Sequence, residues 1–260
     1  MDQTKEAVEL VLVETLSPGI RVCTLNRSAK RNALSQALID QLLLRLKAAD
    51  TDDGVSSIII TGSGNFFSAG ADIKEISEVN AESAHERRYL EDLCNGVRNV
   101  RKPIIAAVER KALGGGFELA LMADFIVATP GVEFGFPEVS IGLIPGAGGT
   151  QRLTSAIGKY RAMKVILLNE PLSGTEAYSL GLVSVLADPG QALEGALGLA
   201  KKLSSSSSTA IRLAKEAICR ADSLGQDEGF ERSLYYAAFG TRAKREGVAA
   251  FLEKRKPVWK

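Results

Sequence analysis

Two glutamates stand twenty positions apart, Glu118 in the run Gly114-Gly115-Gly116-Phe117-Glu118 and Glu138 in Phe136-Pro137-Glu138. Each follows a glycine-rich or aromatic-proline segment within a largely apolar stretch, the setting expected of a buried acid/base pair. Apolar surroundings disfavour an ionised carboxylate and raise its pKa, so one of the two can hold a proton near neutral pH while the other stays charged. Moving water on or off a carbon chain requires that division of labour. For either glutamate alone, an ordinary carboxylate at a helix end or in a loop is usually the better reading.

The loop that carries Glu118 offers a second kind of chemistry. Three consecutive glycines permit backbone angles closed to other residues and remove side chains from the amides. The amide of Gly115 is then expected to face outward at a helix N-terminus, where the backbone partial charge favours a negative ligand atom. A phosphate cradle is the competing reading, but neither GxGxxG nor a GK[ST] ending is present. On this motif alone a tight turn with close helix packing serves as well. A second loop, FFSAGADIK at 66–74, also leaves an apolar strand through small residues and turns toward a helix. Two such loops can present two amides to one thioester oxygen and stabilise the enolate formed there, with about 3 to 4 kcal/mol typical of one such donor. A third loop, residues 144–152, follows Glu138 and enters another helix.

The elements that must position these loops are legible in outline. Two β-rich runs between residues 8 and 25 flank Ser17-Pro18-Gly19 and predict a hairpin. Leu34, Leu38, Leu42 and Leu46 recur every four residues and predict an amphipathic helix over 35–49. A strand at 57–61, a polar helix at 81–100 and a buried strand at 103–108 follow. Further along come a helix at 117–123, strands at 125–129 and 132–136, and a mostly helical stretch at 149–168. Strand, strand and helix recur, suggesting sheets stacked by successive turns with helices outside. The serine run at 204–208 reads as a solvated connector. Beyond it three helices are expected, at 210–220, 225–239 and 241–254, dividing the chain into a core at 1–203 and a helical region at 204–260. Apolar residues such as Leu234, Phe239, Phe251 and Leu252 in that region are expected to be covered by the core or by another copy of the chain.

Composition narrows the classes further. With 260 residues, 45% of them hydrophobic and 24% charged, the chain can bury a large core, and general disorder is excluded. Its 32 basic and 31 acidic residues give a net charge of +1, which disfavours a dedicated nucleic-acid surface. Cys23, Cys94 and Cys219 lie far apart outside any CxxC spacing, so neither a disulfide framework nor a metal site is indicated and a reducing compartment fits. No apolar run approaches the roughly 20 residues of a membrane span. Residues 1–12 show no targeting peptide, so a cytoplasmic location is expected, or the mitochondrial matrix for a eukaryotic chain whose transit peptide is trimmed or absent.

Four segments together resemble the enoyl-CoA hydratase (crotonase) family: FFSAGADIKE at 66–75, ALGGGFELALMAD at 112–124, FGFPEVSIGLIPGAGGTQRL at 134–153 and EGVAAFLEKRKP at 246–257. The resemblance spans nearly the whole chain. It implies an α/β fold with a ββα spiral core, a helical C-terminal trimerisation region, and a homotrimer or dimer of trimers. It also implies an acyl-CoA thioester held between two amide-bearing loops, with no cofactor beyond the CoA of the substrate. Carried over by position, Ala71 and Gly115 supply the oxyanion-hole amides, Ala71, Asp72, Ile73 and Lys74 line the CoA path, and Gly146 lies near the water or hydroxyl. Lys254 matches a position that approaches the CoA phosphate, and a solvated helix-end lysine is the plain alternative. Glu118 and Glu138 match the two glutamates of true hydratases, acting in fatty-acid β-oxidation or branched amino-acid degradation. A double-bond isomerase, for which one carboxylate suffices, and a non-enzymatic RNA-associated member are the alternatives. Arg110 departs from the family pattern, standing where glycine is usual, and its backbone is expected to be strained if that position needs a positive φ. His85 is expected at the surface, and Trp259 in packing or at an interface.

Overall fold

A computed structural model describes residues 8–64, 66–223 and 228–258. The chain opens with the expected hairpin, β1 (Val11–Leu16) and β2 (Ile20–Leu25), followed by α1 (Gln36–Thr51), whose first turn is capped by the Ser35 side chain accepting from the Leu38 amide. Leu38, Leu42 and Leu46 are buried along one face of α1. Leu34, in the same four-residue rhythm, lies outside the helix and instead forms a parallel bridge with Ala71.

Strand β3 (Ser57–Gly62) leads to α2 (Ile73–Glu78). The single helix expected at 81–100 is two, α3 (Ala81–Glu86) and α4 (Glu91–Arg98). Arg88 and Leu90 between them take positive φ, and neither glycine nor proline marks the break. Strands β4 (Ile104–Val108) and β5 (Lys111–Leu113) precede α5 (Gly115–Leu121). Then come β6 (Phe125–Ala128), β7 (Glu133–Gly135) and a 3-10 turn, Glu138–Ile141. The stretch at 149–168 divides at Gly158, φ +81°, into α6 (Gly149–Ile157) and α7 (Lys159–Leu167). Strand β8 (Leu172–Ser173), α8 (Gly174–Ser179), β9 (Val185–Leu186) and α9 (Ala192–Ser204) complete the core, and α10 (Ser208–Ser223), α11 (Glu228–Phe239) and α12 (Arg242–Leu252) follow.

Six strands form one sheet in the order β1-β2-β3-β4-β6-β9, parallel except for the opening hairpin, and β5, β7 and β8 form a second. The chain passes from the first sheet to the second twice, β4 to β5 and β6 to β7, entering a helical turn each time. That recurrence is the ββα unit anticipated from sequence. The central strands are buried on both faces, which explains their unbroken apolar runs. Ile58 and Ile60 face one core and Ile59 the other; on β4, Ile104, Ala106 and Val108 alternate with Ile105 and Ala107. The smaller core is closed by α9 through Ala196, Leu197 and Ala200.

The helices after α10 fold back on their own chain. Phe239 is buried, its ring 4.9 Å from that of Tyr235 and 6.1 Å from that of Tyr89. The buried Lys244 ammonium donates to the Val79 carbonyl at 2.9 Å. Gly247 lies so close to the 3-10 turn that a Cβ there would come within 2.5 Å of Ile141 backbone. Thus Phe239 is covered by this chain's own core, while Leu234, Phe251 and Leu252 remain about half exposed. His85 is exposed, with its ring edge-on to Tyr236, and Trp259 lies outside the described residues. No helix among the described residues is long and apolar enough to cross a membrane.

Candidate active site

The loop at 66–72 is held from both sides. The Phe67 amide donates to the Lys111 carbonyl and the Leu113 amide to the Ser68 carbonyl, which joins the loop to β5. On the other side the Leu34 amide donates to the Gly70 carbonyl at 2.8 Å and the Asp72 amide to the Leu34 carbonyl at 3.1 Å. In extended chain, neighbouring peptide groups point to opposite sides. With Gly70 and Asp72 turned toward Leu34, the Ala71 N–H points away from that bridge, and it has no protein acceptor among the described residues. The Asp72 carboxylate is engaged inward, accepting from Arg27 at 2.6 Å and capping α2 through the Lys74 amide at 3.0 Å. These bonds pull its pKa down against the effect of burial. Ile73 is half-buried and the Lys74 side chain exposed.

The second loop meets the first at Gly70, where a Cβ would sit 2.9 Å from the Leu113 carbonyl oxygen and 3.3 Å from the Gly115 nitrogen. Gly114, with φ +51°, turns the chain into α5, and the Gly115 amide at its first position is unpaired among the described residues. The Cβ direction of Gly115 points to within 3.5 Å of the Ala71 nitrogen and 3.9 Å of Glu118 Oε2. Two unpaired amides from separate loops and one carboxylate oxygen therefore border the same small space.

Glu118 lies one turn into α5 and is 1% exposed. Its Oε1 accepts from the Ala147 amide at 2.7 Å and the Gly149 amide at 2.8 Å. Glycine at 149 is required, because a Cβ would come within 2.8 Å of that oxygen and of the Phe136 ring. Glu138 opens the 3-10 turn with Oε1 beside Gly114, where a Cβ would approach to 2.7 Å. Solvent reaches part of the Glu138 residue, but its Oε2 is fully shielded and has no hydrogen-bond partner. The two carboxylates thus flank the consecutive glycines 114 and 115 from opposite ends. Burial pushes the Glu118 carboxyl well up, with Glu231 and Glu138 adding to the effect and the Gly149 and Ala147 amides opposing it. Glu138 is pushed up to about 8, by burial first.

Arg110 has φ +61°, the left-handed conformation that glycine would adopt freely. Gly146 is buried under Tyr235, whose ring would lie 2.2 Å from a Cβ there. Lys254 is exposed beyond α12 and, among the described residues, makes no contact with the two carboxylates. Sequence reasoning passed over Glu231, Tyr235 and Arg152, all of which meet the 146–150 loop. A signal was present: Glu231, Tyr235 and Phe239 recur every four residues on α11, placing a carboxylate in an apolar helical stripe.

The stacked ββα units thus bring two unpaired amides, the buried Glu118 and the shielded Oε2 of Glu138 to one place. The family model described as enoyl-CoA hydratase/isomerase matches residues 15–260, and the chain belongs to that family. It is 46% identical over 257 residues to a Rhizobium meliloti (strain 1021) protein named "Probable enoyl-CoA hydratase", covering 97% of this chain and 98% of the other. It is 40% identical to the 2,3-dehydroadipyl-CoA hydratase of Escherichia coli (strain K12), covering 96% and 98%. Among solved structures, an enoyl-CoA hydratase from Mycobacterium avium subsp. paratuberculosis K-10 superposes with a TM-score of 0.85 at 27% identity, covering 98% of this chain and 100% of that one.

Proposed function

We propose that the protein hydrates trans-2-enoyl-CoA thioesters to 3-hydroxyacyl-CoA. The observation that carries this reading is the placement of Glu118 and Glu138 on either side of the Gly114-Gly115 turn, beside the unpaired amides of Ala71 and Gly115. The thioester oxygen accepts from those two amides, which stabilise the negative charge that grows on it as the β-carbon is attacked. Glu118 is the base: burial raises its pKa, and the two N–H donors on Oε1 work against that rise in favour of the anion. It takes a proton from water as the water oxygen bonds to the β-carbon and the double-bond electrons move toward the thioester. Glu138, with a shielded and unpartnered Oε2, holds a proton at rest and delivers it to the α-carbon. Both elements of water are then on the product, and proton exchange between the carboxylates and solvent resets the site. The substrate's own CoA is the only carrier group in this scheme.

Asp72, Ile73 and Lys74, continuous with Ala71, border the entry for the CoA moiety, and Gly146 lies on the water side under Tyr235. Lys254 is assigned to the CoA phosphate. The acyl chain is a straight or branched enoyl group, placing the enzyme in fatty-acid β-oxidation or branched amino-acid breakdown. A panel of enoyl-CoA thioesters differing in length, branching and terminal carboxylation, followed by loss of conjugated-double-bond absorbance and by product mass, tests the assignment. A mass gain of one water is expected. A shifted double bond with no gain in mass would instead make the protein an isomerase.

A further inference from the structure

Four successive amides at the start of α6 are shared between two buried carboxylates. Glu118 takes those of Ala147 and Gly149. Glu231 takes the two others, accepting from the Gly148 amide through Oε1 at 2.6 Å and from the Thr150 amide through Oε2 at 2.7 Å, with the Thr150 hydroxyl also bonded to Oε2. Glu231 is 2% exposed and sits on α11, more than eighty positions further along the chain. The same helix holds the loop at two other points. Glu228 pairs with Arg152 at 2.5 Å, Arg152 donates to the Ala147 carbonyl at 2.8 Å, and the Tyr235 ring covers Gly146. Gly148, with φ +92°, turns its own peptide toward Glu231 while its neighbours turn toward Glu118.

We propose that Glu231 is a positioning residue for Glu118: by binding the amides of Gly148 and Thr150 it fixes the alternate facing of Ala147 and Gly149, and so holds the base in register with the Gly115 turn. This role rests on the hydratase reading for its effect on turnover. A carboxylate suits the task because both of its oxygens accept, whereas a glutamine would turn an NH2 toward one of two N–H donors. An alanine would take the acceptor from three donors, the Gly148 amide among them buried. The groups nearest the space beside Gly115 are the Ala71 nitrogen, the Leu34 side chain and Glu118 Oε2, so loss of the Glu231 carboxylate is expected to spare substrate affinity. A plain helix cap at this position would alter stability without altering the turnover of folded molecules.

The test compares Glu231→Gln with the wild-type protein for hydration of crotonyl-CoA, and measures amide exchange at residues 147–150 by mass spectrometry with residue-level fragmentation. A reacting group displaced by about 1 Å loses on the order of 100-fold in rate. Glu231→Gln is therefore expected to lose roughly 10-fold to 100-fold in kcat with KM changed by less than about twofold, the signature of an interaction that counts only in the transition state. Exchange should rise at Ala147 and Gly149 as well as at Gly148 and Thr150. A folded Glu231→Gln protein with wild-type kcat, or with Ala147 and Gly149 still protected, would overturn the proposal. If the glutamine variant does not fold cooperatively, Thr150→Val, which removes the hydroxyl donor to Glu231 together with the acceptor for the Gln151 side chain and keeps both backbone amides, is expected to lower kcat several-fold, and an unchanged kcat overturns it instead. If the wild-type protein hydrates no enoyl-CoA, the hydratase reading fails on its own. The positioning of Glu118 is then decided by exchange at Ala147 and Gly149 alone.

Discussion

Glu118 is buried with two amide donors, whereas Glu138 is partly reached by solvent and has a shielded, unpartnered Oε2; these two residues and Gly115 lead to three expectations. Glu118→Gln and Glu138→Gln keep the side-chain volume, so each should fold and bind acyl-CoA while losing at least about 100-fold in turnover. Wild-type rates in both would defeat the assigned chemistry. The pH dependence follows from the raised pKa of Glu138, about 8 against 4.5 for a free glutamate. The folded state favours the protonated form, so its stability falls as pH climbs from about 4.5, and the loss is complete above the folded pKa near 8. Replacing Glu138 with glutamine removes that penalty. The variant should therefore melt higher than wild type at pH 8.5 and gain much less at pH 5, as calorimetry at the two pH values would show. If that proton is the one delivered to carbon, as proposed, kcat/KM should fall on the alkaline side as Glu138 ionises. Gly115 is the third case. Proline is tolerated at the first position of a helix, where the N–H has no intrahelical partner, so Gly115→Pro should keep α5 and lose the donor aimed at the thioester. Near-normal catalysis in a folded Gly115→Pro protein would move the oxyanion site elsewhere.

At the scale of elements, the turn between β4 and β5 carries a removable strain. Arg110 sits at φ +61°, so Arg110→Gly should raise stability by about 1 kcal/mol, read as a shift in denaturation midpoint with an unchanged slope. An opposite result is expected where α12 crosses the Glu138 turn. Gly247→Ala would place a methyl 2.5 Å from Ile141 backbone, and relieving that overlap should cost about 1 to 3 kcal/mol and reduce turnover together with stability. The legibility of these elements follows from where their signals lie. The hairpin around Ser17-Pro18-Gly19, the Leu38-Leu42-Leu46 face and the apolar strands could be read because turn chemistry and burial repeat locally. The division of 81–100 could not, since Arg88 and Leu90 take left-handed angles without glycine to announce them. Strand β5 is hidden because it follows Glu109 and Arg110 and opens on Lys111, whereas the equally short β7 lies in an apolar run with Val132, Phe134 and Phe136. The two glutamates and the glycine loops stood out as residue types in unusual company. Glu231 did not, because the amides that explain it belong to a loop more than eighty positions away.

For the whole molecule, the covered and uncovered apolar surfaces are informative. Phe239 is buried within its own chain, but Tyr160, Leu167 and Leu168 on and after α7, with Leu213 and Ile218 on α10, stay more than half exposed. Apolar surface on that scale favours association, and the trimer or dimer of trimers that the family resemblance implies would give a mass of three or six times the 27.7 kDa chain in light scattering. A stable, fully active monomer at micromolar concentration would defeat that expectation and leave the chemistry intact. The docking of α11 on the 146–150 loop and of α12 on the 3-10 turn also bears on how the protein is made. Domains fold as they leave the ribosome, N-terminal parts first. A nascent chain that has emerged as far as α10 already carries Glu118, Glu138 and both amide loops. It still lacks Glu231, the Tyr235 cover and the Gly247 contact that seat them. On the hydratase reading, a chain that stops before α11 would hold Glu118, Glu138 and both amide loops and is expected to have no working site.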